Sequence, residues 1–476
     1  MKHLLCVLAL VAAQAVIVTP AAAAVDEATV QALIERIERQ EARIAELEKA
    51  VAGAAGAAAP AVAPPPIPPA PAAPVQVAGP KVETKGGLKV DSADGKNSFS
   101  FGGRIQADLA QYGEDQDARG KAAFGDGSAL RRVRFDVKGK FLEDCGYRVQ
   151  YDFLDGGAAG IKDAYITFER YAPWTLHLGQ FFQPFGLERQ TSSNNMTFLE
   201  RAMVTNALTP DRHIGIQISG GGALGDGKLG DAVPFWTAEV GLFGMRAQDD
   251  NASAGDDESR DLTGRITIAP IYSGNTLLQI GASYRLHEPN DAGTFARFRD
   301  RPEAFVSQVR LLDTGDLSGA TGLVEDFSQI GVDVAAMWGP VAAQAEWMKT
   351  EVARRGGLSD PTFSGGYAQV SWLVTGESRS FKPAEAVHDK LKPQHAFGPE
   401  GWGAWERALR YSTLDLTDGG VIGGEEDNLT LGLNWYANEN LRFMANYVKV
   451  LDLDRPGNGF NRVEPDIFQL RAQVTW

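Results

Sequence analysis

The sequence predicts an all-β protein, a 16-stranded antiparallel transmembrane β-barrel that follows a short N-terminal α-helical coiled coil. Its last segment, Ile467–Trp476, alternates apolar and polar side chains and ends on an aromatic residue, as expected of a strand between lipid and a wet lumen. Similar alternating runs recur from about residue 87 onward, separated by Gly, Asp, Asn and Pro. No stretch after the first two dozen residues reaches the roughly 18 consecutive apolar residues that a spanning helix needs.

Residues 1–24 have the features of a secretory signal peptide. Lys2 and His3 give a basic start, residues 4–18 form an apolar run, and residues 21–24 offer a small-residue cleavage site. The mature chain then contains a single cysteine, Cys145, so an internal disulfide is excluded. An exported chain without disulfides or helical anchors is expected in a Gram-negative envelope, and the strand pattern favours the outer membrane.

Residues 25–51 predict a coiled-coil helix that mediates oligomerisation. The 3-4 spacing of a heptad seam is followed by Val30, Leu33, Ile37, Gln40, Ile44, Leu47 and Val51. Isoleucine and leucine at alternate seam positions favour two chains, whereas the polar Gln40 weakens that preference, so the seam leaves the number of chains open. Residues 52–84 are rich in Ala and Pro, which predicts an extended, semi-rigid linker.

Residues 85–476 are predicted to form the barrel. About seventeen runs read as strands, but bacterial barrels close with an even number, so one run is not a strand. If both ends of the barrel face the periplasm, the tight Gly339–Pro340 turn falls on that side only when Glu303–Leu311 belongs to a long loop. We therefore predict sixteen strands and an unusually long periplasmic connection over Gly376–Trp402. Tandem soluble sandwiches are the alternative, but the sequence has no internal repeat or second linker to support them.

Several motifs in this region occur in an order that resembles a known family. The longest reads G-Q-F-F-Q-P-F-G-L-E-R-Q-T-S-S-N-N-M-T-F-L-E-R-A and begins at Gly179, and T-P-D-R-H-I-G-I-Q-I follows it from Thr209. Shorter matches are Lys162–Tyr165, Gly339-Pro340 with Glu346, Gly376-Glu377, Trp405-Glu406 with Arg410-Tyr411, Asn434–Tyr436 and Arg442–Val450. Together they resemble the phosphate-selective porin O and P family of Gram-negative outer membranes, over essentially everything after the linker. The resemblance implies a trimeric sixteen-stranded barrel whose third loop folds into the lumen, and we let it decide the oligomer in favour of a homotrimer.

Strict alternation predicts a basic wall on one side of the lumen. The first three strands would contribute six basic residues: Arg104, Arg132, Arg134, Lys138, Lys140 and Arg148. Three acidic residues share the same faces, and Arg471 on the closing strand and Arg442 on its neighbour would extend the wall. This charge is held together in a chain whose net charge is -15. Fixed cations select anions because they replace lost hydration; a solvated wall without selectivity is the alternative.

Gln183–Arg212 is the candidate constriction loop, because a segment of this length without strand pattern usually has a function. Glu188 and Glu200 would face the basic wall across the lumen and create a transverse field. Alternatively, the loop itself would be cationic through Arg189, Arg201 and Arg212. An ordinary surface loop is the third interpretation.

We expect an outer-membrane porin for passive diffusion of small anions, with phosphate and polyphosphate as candidate solutes. The alternatives are a general diffusion porin, in which the basic wall only orients solutes, and a structural or adhesive outer-membrane protein that does not transport. No catalytic set, metal-ligand cluster or cofactor motif has a suitable spacing, so we expect neither an enzyme nor a bound metal or cofactor. The expected partners are outer-membrane lipid, lipopolysaccharide, small anionic solutes and further copies of this chain, and not nucleic acid.

Overall fold

The computed structural model describes residues 42, 45, 79–84, 86–113, 124–224, 233–247, 259–289, 296–318, 323–457 and 461–476. The chain divides into two compact units, Met1–Gln76 and Val77–Trp476. In the first unit only Ala42 and Ala45 are described, and both are helical. The predicted signal peptide at 1–24, the rest of the coiled coil at 25–51 and most of the linker at 52–84 lie outside the described residues. None of the helices in the described part of the chain has the length and apolar character to cross a membrane.

The second unit is a closed antiparallel β-barrel of 16 strands. The first eight strands are β1 (Ser98–Gly113), β2 (Gly127–Phe141), β3 (Cys145–Asp152), β4 (Ile161–Tyr171), β5 (Trp174–Phe182), β6 (Arg212–Ala223), β7 (Phe235–Phe243) and β8 (Arg260–Ser273). The other eight are β9 (Thr276–Glu288), β10 (Val324–Trp338), β11 (Val341–Arg354), β12 (Thr362–Leu373), β13 (Ala404–Asp418), β14 (Val421–Tyr436), β15 (Leu441–Asp454) and β16 (Asp466–Thr475). Each strand pairs with its neighbours along the chain, so every connection is a simple hairpin.

The ring closes between the first and last strands. β16 pairs with β1 from Asp466 opposite Gly113 to Thr475 opposite Arg104. Below this point a small hairpin, Lys81–Glu83 and Leu88–Asp91, pairs with Ser98–Phe101 and continues the line of β16. The barrel therefore has no free strand edge along this seam, which is what permits a sheet to remain in a membrane.

Alternation along the strands separates a lipid face from a lumen face. In β16 the residues Phe468, Leu470 and Val474 are exposed on the outside, whereas Gln469 and Arg471 are buried inside. Side chains point to opposite faces of a strand with a period of two, so an amphipathic ten-residue strand places its apolar half in lipid. The terminal strand was interpreted correctly from its sequence.

Most short turns lie at one end of the barrel, and most long connections lie at the other. Five short turns join strands at the end that also carries Trp476: 142–144, 172–173, 274–275, 339–340 and 437–440. The strands on either side of 114–126, 183–211 and 289–323 meet these connections at the opposite end. Since barrels of this kind have short periplasmic turns and long extracellular loops, the end that carries Trp476 is periplasmic. The sixteen-strand prediction is confirmed: Glu303–Leu311 contains no strand, and Gly376–Trp402 lies within a long periplasmic connection, 374–403.

Three segments fill part of the lumen. The helical insert, 183–211, contains α1 (Leu187–Gln190) and α2 (Met203–Leu208). The outer insert, 296–318, forms a strand pair, Arg299–Asp300 with Leu312–Asp313, and the periplasmic insert, 374–403, forms another, Ser380–Lys382 with Val387–Asp389.

The inserts build a hydrophobic core inside the barrel. Phe185, Met203 and Leu208 of the helical insert and Phe298 and Leu311 of the outer insert are almost fully buried. They pack on apolar residues that replace polar ones on the inward faces of the later strands, among them Phe327, Phe363, Leu414 and Val450. This packing ties the inserts to one half of the barrel wall and leaves the opposite half open.

Candidate functional site: a channel lined by arginine and lysine

The lumen that the inserts leave open is a polar cavity of about 1580 Å³. It is bounded by β1–β7 on one side and by the three inserts on the other. Its lining contains nineteen Lys and Arg residues and twelve Asp and Glu residues. The whole chain has the opposite balance, 46 basic against 61 acidic residues, so basic groups are concentrated along the cavity.

The six basic residues predicted on the first three strands all line this cavity: Arg104, Arg132, Arg134, Lys138, Lys140 and Arg148. Strand pairing brings them together across the sheet. Arg104 lies opposite Arg134, and Lys138 lies opposite Arg148. Cross-strand partners lie roughly 5 Å apart at Cβ, so the wall is a continuous group of side chains rather than a set of isolated charges.

Half of these cations are neutralised by carboxylates on the same strands. The pairs are Arg134 with Asp152 at 2.7 Å, Arg148 with Asp136 at 2.5 Å, and Lys140 with Glu169 at 2.5 Å. Arg148 also lies 3.3 Å from Asp163. These groups carry little net charge into the channel.

Arg104, Arg132 and Lys138 differ, because no carboxylate of the described residues lies within ion-pair distance of them. Arg104 donates to neutral acceptors, the Ser193 hydroxyl at 2.7 Å, the Asn194 amide oxygen at 3.0 Å and the Gln150 amide oxygen at 3.2 Å. Arg132 donates to the Gln106 amide oxygen at 2.8 Å. These contacts orient the guanidinium groups without cancelling their charge, and Lys138 is exposed to the cavity.

Arg471 and Arg442 contact the helical insert. The guanidinium of Arg471 holds both oxygens of Asp108 at 2.7 Å and also donates to the Leu199 carbonyl and to Glu200. It does not reach the cavity, although it was predicted to extend the basic wall. Arg442 lines the cavity and donates to the Met196 carbonyl at 2.8 Å.

The two glutamates of the helical insert have different surroundings. Glu200 binds the guanidinium of Arg131, beside the basic wall, through both oxygens at 2.8 and 3.0 Å. Burial opposes its ionisation, but Arg131, Arg132 and Arg471 outweigh burial and hold the pKa of Glu200 well below its usual range. Glu188 instead accepts from the Ala202 N–H at 3.0 Å and the Thr205 hydroxyl at 2.7 Å, at the start of α2.

The three arginines of the loop prediction also contribute differently. Arg189 donates to the Thr205 carbonyl at 2.7 Å, and Arg201 donates to the Glu188 carbonyl at 3.0 Å, so both fasten the insert to itself. Burial lowers the pKa of Arg201 to about 9, which leaves it protonated at neutral pH. Arg212 is the first residue of β6, where it pairs with Asp163 at 2.6 Å.

Carboxylates on the covered half of the wall anchor the inserts. Glu346 on β11 accepts the N–H groups of Leu187 and Glu188 at 2.9 and 2.6 Å, where α1 begins. Gly186, just before them, has φ +69°, and a Cβ there would lie 2.8 Å from the Glu346 carboxylate, so only glycine fits. Glu303 of the outer insert is bound by Arg410, Ser412 and Thr430. Arg379 of the periplasmic insert holds both oxygens of Glu406.

Segregation of charge follows from these anchors. Acidic residues of the covered half are buried under the inserts, while unpaired basic residues of the open half face the cavity. Basic residues therefore outnumber acidic ones along the path that a solute would take, although acidic residues are the majority in the whole sequence.

Several residues that line the cavity were not predicted from the sequence. Arg131 reaches the helical insert because the pairing of β1 and β2 shifts register between Gln106 and Ala107, and no alternation rule anticipates such a bulge. The outer insert adds Arg299, Arg301 and Arg310, and the periplasmic insert adds Arg379, Lys382 and Lys390. The cluster of arginines at 297–301 was the available signal, and it lies just before the predicted loop segment Glu303–Leu311.

Comparison with known proteins identifies the family. The phosphate-selective porin O and P family matches residues 99–476. Porin O of Pseudomonas aeruginosa is 28% identical over 83% of this chain and 92% of its own length, and an uncharacterised protein of Caulobacter vibrioides is 31% identical over 77% of this chain and 71% of its own. Among solved structures, the anion-selective porin from Comamonas acidovorans aligns with a TM-score of 0.46 and 14% identity over 80% of this chain and 100% of that one. The chain belongs to the phosphate-selective porin O and P family and is an outer-membrane porin, a channel rather than an enzyme.

Proposed function

We propose that this porin conducts small anions in preference to cations, and that phosphate is among its solutes. The observation that carries the proposal is that three cations of the basic wall, Arg104, Arg132 and Lys138, are not neutralised by carboxylates of the described residues. Fixed cations inside a narrow polar channel attract anions and replace part of their hydration. Cations meet the same charges as a barrier.

Phosphate is the preferred candidate for two reasons. Guanidinium groups present a planar fork of N–H donors that matches the oxygens of a phosphate, and a doubly charged oxyanion gains more from fixed cations than chloride does. The family takes its description from phosphate selectivity, and Porin O belongs to it by name. A general diffusion pore is the second candidate, and it predicts that phosphate and chloride are treated alike.

Planar-bilayer recording separates these possibilities. In a potassium chloride gradient, the reversal potential of the wild-type channel should have the sign of an anion-selective pore, and added inorganic phosphate should reduce the chloride current. Replacing Arg132 and Lys138 together by glutamine lowers the excess of basic over acidic lining residues from seven to five, because the lining contains nineteen basic and twelve acidic residues. The reversal potential should move toward zero, and more phosphate should be needed for the same block.

Lys349→Gln is the matched control, since Lys349 lies on the outer face of β11 beside Glu351 and away from the channel. It should leave both readouts unchanged. A wild-type channel with no anion preference would refute the proposal, and a preference without phosphate block would retain the anion pore but remove phosphate as a favoured solute. No conductance at all would favour the structural or adhesive role.

We also propose that residues 1–24 are removed on export and that residues 25–51 join three chains through their seam, with residues 52–84 as spacer. Lipopolysaccharide and phospholipid would surround the apolar band. Deleting residues 25–84 should leave a folded, conducting barrel of lower trimer stability, because all sixteen barrel strands lie outside the deleted segment, which removes only the short strand Lys81–Glu83 of the small hairpin. Heat-dependent migration of the trimer on gels measures this, and an unchanged dissociation temperature would show that the coiled coil is dispensable for assembly.

A further inference from the structure

Charged side chains of the described residues occur in different settings on the outer face of the barrel. Lys349 pairs with Glu351, and Lys449 pairs with Asp466 at 3.1 Å, so these two cations have carboxylate partners on the same surface. Arg407 on β13 is also exposed and points outward, between the inward-facing Glu406 and Ala408. No carboxylate of the described residues forms an ion pair with it.

Strand pairing places Arg407 among apolar and aromatic residues. It lies opposite Trp372 of β12 and opposite Leu433 of β14, both exposed on the outer face. Trp405 lies two positions nearer than Arg407 to the periplasmic end. It lies opposite Trp435, and the two rings stack with their centroids 5.6 Å apart. With a rise of roughly 3.4 Å per residue and a tilt of about 40°, Arg407 lies about 5 Å farther into the band than these rings.

The aromatic surface continues on both sides of Trp435. Phe443 of β15 stacks on it at 5.4 Å, and Phe397 of the periplasmic insert meets it edge-on at 5.2 Å. The indole N–H of Trp435 donates to the Trp402 carbonyl at 2.8 Å. Trp402 and Phe397 are 80% and 61% exposed, so the periplasmic insert leaves two large aromatic side chains uncovered at this level.

We propose that Arg407 and this aromatic surface bind the phosphate of an anionic phospholipid in the periplasmic leaflet of the outer membrane. An arginine in the hydrocarbon is unfavourable unless its long side chain extends to the interface and meets an anion. The periplasmic end places that anion among phospholipid headgroups, where tryptophan rings also prefer to lie. A carboxylate from a second copy of the chain is the competing occupant, but the exposed residues around Arg407 are apolar or aromatic, as expected of a surface that meets lipid chains.

The test uses the purified full-length protein in a nonionic detergent, titrated with phosphatidylglycerol and, separately, with phosphatidylcholine, and bound lipid is counted by native mass spectrometry. Wild type should retain phosphatidylglycerol more tightly than phosphatidylcholine. Arg407→Gln should weaken retention of phosphatidylglycerol by about fivefold, the factor that a single basic residue near an anionic surface contributes. Arg407→Lys should recover part of that loss, because it restores the charge without the planar fork.

Lys349→Gln is again the control and should bind as wild type does. Removing the aromatic half with Trp402→Ala should weaken both lipids, since that contact does not depend on headgroup charge. Equal retention by wild type and Arg407→Gln would overturn the proposal. So would cross-linking of an Arg407→Cys variant to a second copy of the chain in native membranes, because it would put protein where the lipid should be. Heat-dependent gel migration confirms that each variant contains a folded barrel.

Discussion

Replacing Ile216 and its neighbour Gln217 by arginine, one at a time, tests which face of β6 meets lipid. The two residues are adjacent, so the substitutions differ only in the side of the sheet that receives the charge. Ile216 is 45% exposed on the outer face, and Gln217 lines the cavity with its amide nitrogen 3.4 Å from the Glu239 carboxylate.

The depth of Ile216 sets the size of the effect. Trp174 and Trp236, which mark the periplasmic aromatic belt, lie opposite Gly220 and Gly222 of the same strand. Ile216 is therefore four to six residues farther along β6, or about 10 to 16 Å above the belt for a rise of roughly 3.4 Å per residue and a tilt of about 40°. This interval contains the middle of an apolar band roughly 25 Å tall, where an arginine costs about 2–4 kcal/mol.

Gln217→Arg should change the free energy of unfolding by less than about 1 kcal/mol. The new guanidinium meets water in the cavity and lies within reach of Glu239, so it is neither desolvated nor unpaired. Reversible unfolding in guanidinium chloride, in lipid or detergent and followed by tryptophan fluorescence, gives both values. Equal destabilisation by the two substitutions, or a larger effect at Gln217, would refute the assignment of faces.

Two further predictions concern the inserts. Glu346→Leu leaves the buried N–H groups of Leu187 and Glu188 without an acceptor, which costs about 1–3 kcal/mol for each group. Protease should therefore cleave the helical insert faster, and the conductance should become noisier. The control Glu351→Gln, on the outer face of the same strand, should change neither the cleavage rate nor the conductance. Burial raises the pKa of Asp300 in the outer insert to about 8, above the roughly 3.9 of an unfolded chain. Between about pH 4 and about pH 8, the folded insert therefore holds a proton on Asp300 that the unfolded insert has released. The stability of the insert should fall as pH rises through this range. Asp300→Asn should remove this pH dependence, which is measured by comparing the rate of proteolysis of the insert at pH 5 and at pH 8. If the variant shows the same difference between the two rates as wild type, another group causes the pH dependence.

Local patterns determined the strands and their number. Alternation with a period of two identified the lipid and lumen faces of β1–β3 and β16, because a strand in a membrane barrel has lipid along one whole side. The rule that both ends of the barrel lie on one side of the membrane then excluded Glu303–Leu311 as a strand and required the long connection over Gly376–Trp402. Each of these inferences depends on neighbouring residues or on counting along the chain.

The tertiary structure decided which half of the lumen is open and which charges face it. Alternation identifies a lumen-facing residue but cannot tell whether an insert will cover it, since covering depends on contacts between distant residues, such as Glu346 with the N–H groups of Leu187 and Glu188. For the same reason Arg471 and Arg104, identical in the sequence pattern, differ in the fold: Arg471 is neutralised behind the helical insert by Asp108 and Glu200, whereas Arg104 meets only neutral acceptors and keeps its charge toward the channel.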